Sequence, residues 1–309
     1  MIPSIDCQAI DHAALNNACR DWGFFALANH DIDPALIENS LLATEQFFQQ
    51  STAEKKRVSR SEANCWGYND AELTKNKRDW KEILDIGPAV DSGPLKGASP
   101  QWPDIPGFRN TLSELSRQVH RVALAMVDDI ATCLGAPIDL DDAFGKHSSF
   151  LRLNYYPPCP DPASDTVQLV APRGELGISH HSDAGALTVL VQDGMSGLQV
   201  YHDGRWVDVS SDRGTVLINI GDVVQVWSND AFKAPLHRVA AHPTRSRVSI
   251  PYFLNPDYAH NYAPLSGQPR YHPINWGDFR AQRTAGDYAD LGSEIQIADF
   301  AITQERRGA

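Results

Sequence analysis

The 309-residue chain is long enough for one sheet-rich domain or two modest ones. Its 39 acidic and 27 basic residues give a formal net charge of −12, which opposes binding to nucleic-acid phosphates and to anionic membrane surfaces. The sequence has no apolar run long enough to cross a bilayer, and its first residues lack the pattern of a secretory signal. We therefore expect a folded cytoplasmic protein that binds neither nucleic acid nor membranes.

The first half of the chain has mainly helical periodicity. A short strand is predicted at Phe24–Ala28, and the Gly- and Pro-rich segment 86–107 predicts a long loop. Apolar residues recur at helical spacing in three segments, 11–28, 34–50 and 108–135.

From about residue 150 the apolar period changes to two, which is typical of strands. Short apolar runs separated by turn residues occupy 149–156, 186–193, 197–201, 205–209, 215–220, 223–228, 237–241 and 247–254. Asp203-Gly204 predicts a tight hairpin, and helical character returns at 275–289. This pattern predicts an α+β fold with a jelly-roll core (double-stranded β-helix) flanked by helices, because a double-sheet barrel covers most strand edges.

We expect residues 1–107 to form an N-terminal region of mixed, mainly helical structure. Residues 108–309 should form the jelly-roll core with a C-terminal helix. The two parts are expected to pack into one compact unit.

Three residues of the strand-rich half could hold one metal ion. His181 and Asp183 are two residues apart, so an extended backbone places both side chains on one face. His237 begins a later predicted strand that antiparallel pairing can bring back beside them. Two imidazoles and one carboxylate on one face of an octahedral Fe(II) leave three adjacent positions for a co-substrate and O₂. His180 would face the other side of its strand, so we assign it a supporting role.

Four further residues could bind a carboxylate co-substrate. Arg247 and Ser249 share one face of a predicted strand, and a guanidinium with a nearby hydroxyl suits the distal carboxylate of 2-oxoglutarate. Asn154 and Tyr156 likewise share a face of the strand that ends at the following prolines. A surface arginine beside a strand serine, and a core tyrosine with a strand-end asparagine, are the alternative interpretations of these pairs.

The chain resembles the 2-oxoglutarate/Fe(II) oxygenases related to isopenicillin N synthase and to the plant flavonoid, gibberellin and aminocyclopropane-carboxylate oxidases. The likeness runs nearly end to end. It is carried by ACRDWGFFALANHDID (18–33), RLNYYPPCP (152–160), HSDAGALTVLVQD (181–193), NIGDVVQVWSND (219–230) and RVSIPYFLNP (247–256). Three departures from the family pattern are His-Ser-Asp at 181–183, a longer stretch between Pro160 and His181, and Asp31 where the family often has glycine.

The resemblance implies that His181, Asp183 and His237 bind Fe(II). It also implies that Arg247 and Ser249 bind the distal carboxylate of 2-oxoglutarate, with Tyr156 and Asn154 assisting. The implied reaction consumes O₂, converts 2-oxoglutarate to succinate and CO₂, and hydroxylates a small-molecule substrate. The resemblance also allows ascorbate as an additional reductant.

Two alternatives stay open at this point. Relatives that need no 2-oxoglutarate share the same iron ligands and Arg-x-Ser pair, so an oxidase or cyclase of that kind is one. A non-catalytic ligand-binding barrel is the other, because fold does not prove function. The motifs do not identify the substrate, and the pocket walls are expected at Arg78, Trp80, Lys81, Phe253 and the 161–179 loop.

Overall fold

The computed structural model describes residues 2–91, 95–163, 174–209, 212–286, 292 and 294–302. In these residues the helices are α1 (His12–Asp21), α2 (Pro34–Phe48), α3 (Thr52–Lys56), α4 (Phe108–Leu134), α5 (Leu140–Phe144), α6 (Asp222–Trp227) and α7 (Trp276–Gly286), followed by a 3-10 turn (Ile297–Phe300). The strands are β1 (Ser4–Asp6), β2 (Phe24–Ala28), β3 (Gly67–Asn69), β4 (Leu73–Thr74), β5 (Lys77–Arg78), β6 (Glu82–Ile86), β7 (Phe150–Tyr156), β8 (Leu176–His181), β9 (Leu187–Gln192), β10 (Leu198–His202), β11 (Arg205–Asp208), β12 (Val216–Ile220), β13 (His237–Ala240), β14 (Arg247–Leu254), β15 (Asn261–Tyr262) and β16 (Ile274–Asn275).

Two sheets form the core, as the predicted jelly roll requires. In the described residues the larger sheet has the order β1-β2-β12-β9-β14-β7-β6-β3, and the smaller one has the order β11-β10-β13-β8. Apart from the parallel β1–β2 pair, the strand pairs within these two sheets are antiparallel. The N-terminal strands β1, β2, β3 and β6 therefore join the same sheet as the strands of the second half. The division of the chain at residue 107 stays a prediction.

Helix α4 packs its apolar face against the larger sheet, where it contacts β9 and β14. The helix confirms the helical spacing predicted for 108–135, and on this face Leu112, Leu115, Val119 and Ala123 are fully or almost fully buried. Burial of one such leucine stabilises the fold by about 1.5–3 kcal/mol. The helix ends at Gly135, whose left-handed backbone (φ 64°) satisfies the last turn.

The predicted strand at 223–228 is wrong, because Asp222–Trp227 forms helix α6. Its valines have the β-branched side chains typical of strands, but the tertiary contacts decide otherwise. The backbone N–H of Asp222 donates to the carbonyl of Asp183 at 2.8 Å, and that of Val223 donates to Gly185 at 3.1 Å. The first helical turn is thus hydrogen-bonded to the loop that carries Asp183, which requires it to lie beside that loop.

Several local predictions are confirmed. β10 and β11 form the expected hairpin, with Asp203 at φ 48° and Gly204 at φ 77°, both values that a type I′ turn requires. The described part of the segment between Ile86 and Phe108 contains no helix or strand. None of the described helices combines the length and apolarity needed to span a membrane.

One predicted segment lies mostly outside the described residues, and one predicted helix is shorter in the structure. Most of the 161–179 loop, residues 164–173, lies outside the described residues. The helix predicted at 11–28 ends at Asp21, before the strand that was also predicted at Phe24–Ala28.

Candidate functional site

The three predicted metal ligands lie together at the end of the smaller sheet where β8 ends and β13 begins. His181 is the last residue of β8 and His237 is the first of β13, and the two are direct partners in the antiparallel register. Asp183 lies two residues beyond the end of β8. Its Oδ1 is 3.6 Å from the Nε2 atom of each histidine, and one ligand atom from each residue lies within 4.8 Å of the other two. Bonds of about 2 Å from a metal to N or O ligands place adjacent ligand atoms about 3–4 Å apart, so these residues fit a shared ion.

Backbone carbonyls orient both imidazoles. His181 Nδ1 donates to the carbonyl of Ser179 at 2.8 Å, and His237 Nδ1 donates to that of Pro235 at 3.1 Å. A carbonyl accepts only from a protonated nitrogen, so Nε2 is the unprotonated nitrogen of each ring and keeps its lone pair for a metal. Burial, together with the neighbouring His237, lowers the pKa of His181 to about 3. Its imidazole is therefore neutral and able to bind a metal at physiological pH.

Two polar side chains hold Asp183 by its second oxygen. Thr188 Oγ1 donates to Oδ2, and Asn219 Nδ2 donates to the same atom at 2.8 Å. Burial alone would raise the pKa of Asp183, but His237, His181 and these hydrogen bonds lower it below its usual value. The carboxylate therefore stays ionised, and its Oδ1 is left for a metal.

Glycine at position 221 allows the Asp183 loop to pack against α6. A Cβ atom at Gly221 would lie 2.2 Å from the carbonyl oxygen of Gly185 and 2.9 Å from that of Asp183. Any side chain there would displace the loop. The position of the carboxylate thus depends on a glycine that is distant in the sequence.

His180 does not take part in this cluster. The three ligands line a cavity between the two sheets. His181 is among the described residues that line this cavity, and His180 is not. Successive side chains of a strand point to opposite faces, so His180 faces away from the ligand cluster, as predicted from the sequence.

The four predicted co-substrate residues also come together, on β7 and β14 of the larger sheet. Arg247 pairs with Tyr156 in the strand register and Ser249 pairs with Asn154. Arg247 Nη1 and Asn154 Nδ2 each donate to Ser249 Oγ at 3.4 Å. Arg247 Nη2 also donates to Gln192 Oε1 at 2.5 Å, and its guanidinium carbon lies 5.0 Å from the centre of the Tyr156 ring. The guanidinium is thus fixed in one orientation.

Buried polar atoms in this group are left to bind a ligand. Within the described part of the chain, Arg247 Nε and Asn154 Oδ1 are buried and have no hydrogen-bond partner. Ser249 Oγ already accepts two hydrogen bonds, so its own proton can be donated. Leaving a buried N–H of a guanidinium unpaired costs about 1–3 kcal/mol or more. A bound carboxylate would satisfy the arginine and the serine together.

Both groups line one cavity of about 150 Å³ between the two sheets. The metal triad lies on the side of the smaller sheet, and the Arg247 group lies on that of the larger sheet. Apolar side chains close the space around the Arg247 group, namely Ile178, Leu190, Leu198 and Val239. A 2-oxo acid could therefore chelate an ion at one end and contact Arg247 at the other.

A buried ionic cluster forms another part of the cavity wall. Lys81 Nζ lies 2.7 Å from Glu72 Oε2 and 2.9 Å from Asp79 Oδ2. Arg152 lies 2.8 Å from Glu72 Oε1 and 2.6 Å from Asp85 Oδ1. Burial alone would raise the pKa of Glu72, but Arg152 and Lys81 hold it well below its usual value. The charges in this wall are therefore mutually paired.

The predicted substrate residues divide into two groups. Lys81 and Phe253 line the cavity, as expected. Arg78 is exposed and donates to the carbonyl of Asp70, and Trp80 donates to the carbonyl of Pro158. Neither Arg78 nor Trp80 is among the described lining residues, so this part of the prediction is wrong. The short β4–β5 hairpin turns Arg78 outward.

Several functional candidates were missed from the sequence. Thr188 and Gln192 are polar residues at alternate positions of the otherwise apolar strand β9, a signal that they face a site. Arg152 could have been found because it shares the face of Asn154 on β7. Asn219 in the buried strand β12 gave a similar signal.

Comparison with known proteins supports these assignments of fold and family. The model of the 2OG-Fe(II) oxygenase superfamily matches residues 147–256, and the model described as non-haem dioxygenase in morphine synthesis N-terminal matches residues 2–105. The chain is 33% identical over 279 residues to an oxoglutarate-dependent flavonoid 7-O-demethylase of Ocimum basilicum, covering 86% of this chain and 71% of the relative. The chain belongs to the 2OG-Fe(II) oxygenase superfamily. A gibberellin 2-beta-dioxygenase of Arabidopsis thaliana is 31% identical to this oxygenase, covering 91% of this chain and 87% of the relative.

Solved structures agree with the fold of this oxygenase. JOX2 in complex with 2OG, Fe and JA superposes with a TM-score of 0.82 at 28% identity, covering 97% of this chain and 89% of that one. A full-length Neurospora crassa protein in complex with alpha-KG superposes with a TM-score of 0.77 at 28% identity, covering 93% of this chain and 96% of that one. The predicted jelly-roll class is confirmed. The protein is an oxidoreductase that uses Fe(II) and 2-oxoglutarate, while a use of ascorbate stays a prediction.

Proposed function

We propose that this oxygenase hydroxylates a carbon atom of a small molecule, with Fe(II) held by His181, Asp183 and His237. We further propose that the distal carboxylate of 2-oxoglutarate contacts Arg247 and Ser249. The observation that carries this proposal is the shared cavity, in which a preorganised triad faces a buried guanidinium that still has an unpaired N–H.

Bound Fe(II) supplies the oxidising chemistry, in which R–H, O₂ and 2-oxoglutarate give R–OH, succinate and CO₂. The protein's own residues hold the reactants for it. Thr188 and Asn219 occupy Oδ2 of Asp183, so Oδ1 has a fixed direction. The backbone carbonyls behind His181 and His237 fix the imidazole planes in the same way.

The apolar walls restrict water near the co-substrate end. Leu190 and Leu198 lie on strands of the two opposed sheets, and both are buried. Tyr156 covers one face of the Arg247 guanidinium. A drier site strengthens the contact between a guanidinium and a carboxylate, because the local dielectric is lower.

The neighbouring proteins favour a small-molecule substrate. One neighbour is described in complex with JA and another in complex with thymine. The relatives named as oxoglutarate-dependent enzymes favour this interpretation over an oxidase without 2-oxoglutarate and over a non-catalytic barrel.

The test incubates the Fe(II) enzyme with labelled 2-oxoglutarate and O₂, with and without a metabolite library, and measures labelled succinate. Products are then analysed by mass. We expect succinate formation above the level without enzyme, and a product that has gained one oxygen atom when a substrate is present. A product that has lost two hydrogens would indicate that the enzyme desaturates its substrate instead of hydroxylating it. Absence of both 2-oxoglutarate binding and succinate would contradict the proposal.

A further inference from the structure

Helix α7 buries an arginine on its apolar face. Trp276, Phe279 and Arg283 are three and four residues apart, so they share one face of the helix, and all three are buried. Arg283 exposes 7% of its surface. A guanidinium that is buried to this extent needs hydrogen bonds and opposite charge to compensate for the loss of water. The partners of Arg283 therefore indicate what it does.

The guanidinium of Arg283 contacts two other parts of the chain. Its Nη1 donates to the carbonyl of Ile295 at 3.0 Å and to Glu294 Oε2 at 3.5 Å. Its Nη2 donates to the carbonyl of Ser182 at 3.3 Å. Glu294 and Ile295 lie beyond the end of α7, whereas Ser182 lies between two of the proposed metal ligands. One side chain thus joins the C-terminal segment to the metal-binding loop.

The carbonyl of Ser182 belongs to the peptide group that leads into Asp183. Because a peptide group is planar, the direction of this carbonyl fixes the direction in which the chain enters Asp183. A rotation of the group would turn the Asp183 carboxylate away from the two imidazoles. The peptide group on the other side of Asp183 is held by the backbone N–H of Asp222, at 2.8 Å from the carbonyl oxygen of Asp183. The peptide groups before and after this ligand are therefore both hydrogen-bonded, and Arg283 holds the first.

Asp222, the first residue of α6, also takes part through its side chain. Its buried carboxylate interacts with the charge of Arg283 and accepts a hydrogen bond from the Ser182 hydroxyl. Two carboxylates, those of Asp222 and Glu294, therefore compensate for the buried charge of the guanidinium. Ser182 is held by its hydroxyl as well as by its carbonyl.

We propose that Arg283 is a positioning residue for the iron site. It holds the peptide group of Ser182 and thereby sets the direction of the Asp183 carboxylate. Glu294 and Ile295 assist because they fix the guanidinium. The C-terminal segment in this way contributes to iron binding, although the ligands lie more than a hundred residues before it. This inference rests on the ligand set of the proposed function.

The experiment measures metal binding separately from stability. The metal-free protein is titrated anaerobically with Fe(II), and with Co(II) as a second probe whose visible spectrum reports the geometry of its ligands. Urea unfolding of the metal-free protein gives the stability of each variant.

Three variants test the contacts of the guanidinium. Arg283→Gln removes its charge and shortens the side chain, Arg283→Lys keeps the charge and one donor group, and Glu294→Gln removes the charge of one partner. The control is Arg213→Gln. Arg213 also joins segments that are distant in the sequence, through ion pairs with Glu38 and Glu45, and it is not among the described residues that line the cavity.

We expect Arg283→Gln to raise the dissociation constant of Fe(II) by about tenfold, as expected when a group that orients a metal ligand is removed. The Co(II) spectrum should change with it. Arg283→Lys should restore part of the affinity, Glu294→Gln should have the same effect as Arg283→Gln but a smaller one, and Arg213→Gln should bind both metals as the wild type does.

A purely structural role would lower the stability of the variants and leave metal binding by the folded protein unchanged. An unchanged dissociation constant and Co(II) spectrum in folded Arg283→Gln would therefore overturn the inference. If Arg283→Gln does not fold, Arg283→Lys and Glu294→Gln decide, and wild-type metal binding in both would overturn it.

The wild type and His181→Ala separate this inference from the proposed function. If the wild type binds Fe(II), His181→Ala does not, and the Arg283 variants bind as the wild type does, only the role of Arg283 fails. If the wild type binds no Fe(II), or His181→Ala binds it equally well, the proposed ligand set fails and the inference fails with it.

Discussion

The two ends of the cavity are built in different ways. At the metal end, His181 and His237 are register partners on adjacent strands, and Asp183 is held by Thr188 and Asn219. Every one of these residues comes from the second half of the chain. The other end of the cavity, the far end, combines Lys81 from the N-terminal region, strand β7 and helix α7 at the C-terminus.

Under the proposed function, this difference separates the residues that hold the metal from the residues that select the substrate. The metal end depends on strands of the second half of the chain that pair directly and on side chains that these strands carry, whereas the far end depends on side chains of elements that are distant in the sequence. A substitution at the far end, other than at Arg283, can therefore change what binds without displacing the metal ligands. Members of one family can in this way share a reaction and differ in substrate.

Replacing one ligand should have the largest effect. We expect His181→Ala to reduce Fe(II)-dependent succinate formation by about a thousandfold or more, because the ion loses one of three protein ligands. The anaerobic Fe(II)–2-oxoglutarate band should be lost as well. The control is His180→Ala, one residue away on the other face of β8, which should keep the band. Loss of the band in His180→Ala alone would show that the assigned strand parity is wrong.

A substitution in the ionic cluster of Glu72, Lys81 and Arg152 should have its main effect on the free energy of unfolding. Glu72→Gln breaks the buried pairs with Lys81 and Arg152 and should lower the free energy of unfolding by about 3 kcal/mol. The pKa of Glu72 is lowered on folding from its usual value of 4.5, so its ionisation stabilises the fold above that pH. This contribution is lost as the pH falls below about 4.5 toward the lower pKa of the folded state.

Urea unfolding at several pH values measures both effects. Glu72→Gln should be less stable than the wild type near neutral pH, and the difference should shrink as the pH falls below 4.5. Glu62→Gln, at an exposed position, should change little. A difference that stays constant down to acidic pH would indicate that packing, rather than charge, links Glu72 to stability.

Local patterns were enough to predict much of the fold and of the metal end. Strand parity selected His181 over His180, and the alternation of apolar residues predicted β7 and β9 to β14. Strand β8 was missed, because most of it falls in the segment 161–179 that was predicted to be a loop. These features depend on the period of two and on residues close in the sequence. The structure places Arg247, Ser249, Asn154 and Tyr156 together because two predicted strands pair directly.

The features that could not be predicted depend on contacts between distant segments. Thr188 and Asn219 converge on Asp183 because β9 and β12 pair in a particular register, which periodicity alone does not define. The valine-rich segment 223–228 became a helix through its hydrogen bonds with the Asp183 loop. Arg283 reaches the carbonyl of Ser182 only when α7 packs beside the Asp183 loop, so no local signal indicated it.

The co-substrate contact is a smaller effect than the loss of a metal ligand. Arg247→Met should weaken 2-oxoglutarate binding by about a hundredfold, since a buried charge-assisted contact is worth about 2–3 kcal/mol. Titration of the anaerobic band with 2-oxoglutarate measures this. Arg245→Met, at an exposed position two residues earlier, should bind normally. Unchanged binding in Arg247→Met would mean that the unpaired Nε atom does not face the co-substrate.

The smallest expected effect concerns the support of Asp183. Thr188→Val removes one of two donors to Oδ2 and leaves the donor from Asn219, so the carboxylate keeps part of its orientation. We expect Fe(II) affinity to fall by about tenfold, which is the lower end of the effect of removing a hydrogen bond behind a metal ligand. Fe(II) titration measures the change, and Thr44→Val in α2, where a buried hydroxyl donates to the carbonyl of Ser40, controls for the loss of a buried hydroxyl in general. If Thr188→Val bound Fe(II) as tightly as the wild type, Asn219 alone would suffice to orient Asp183, and the metal end would be less dependent on the register of β9 and β12 than its geometry indicates.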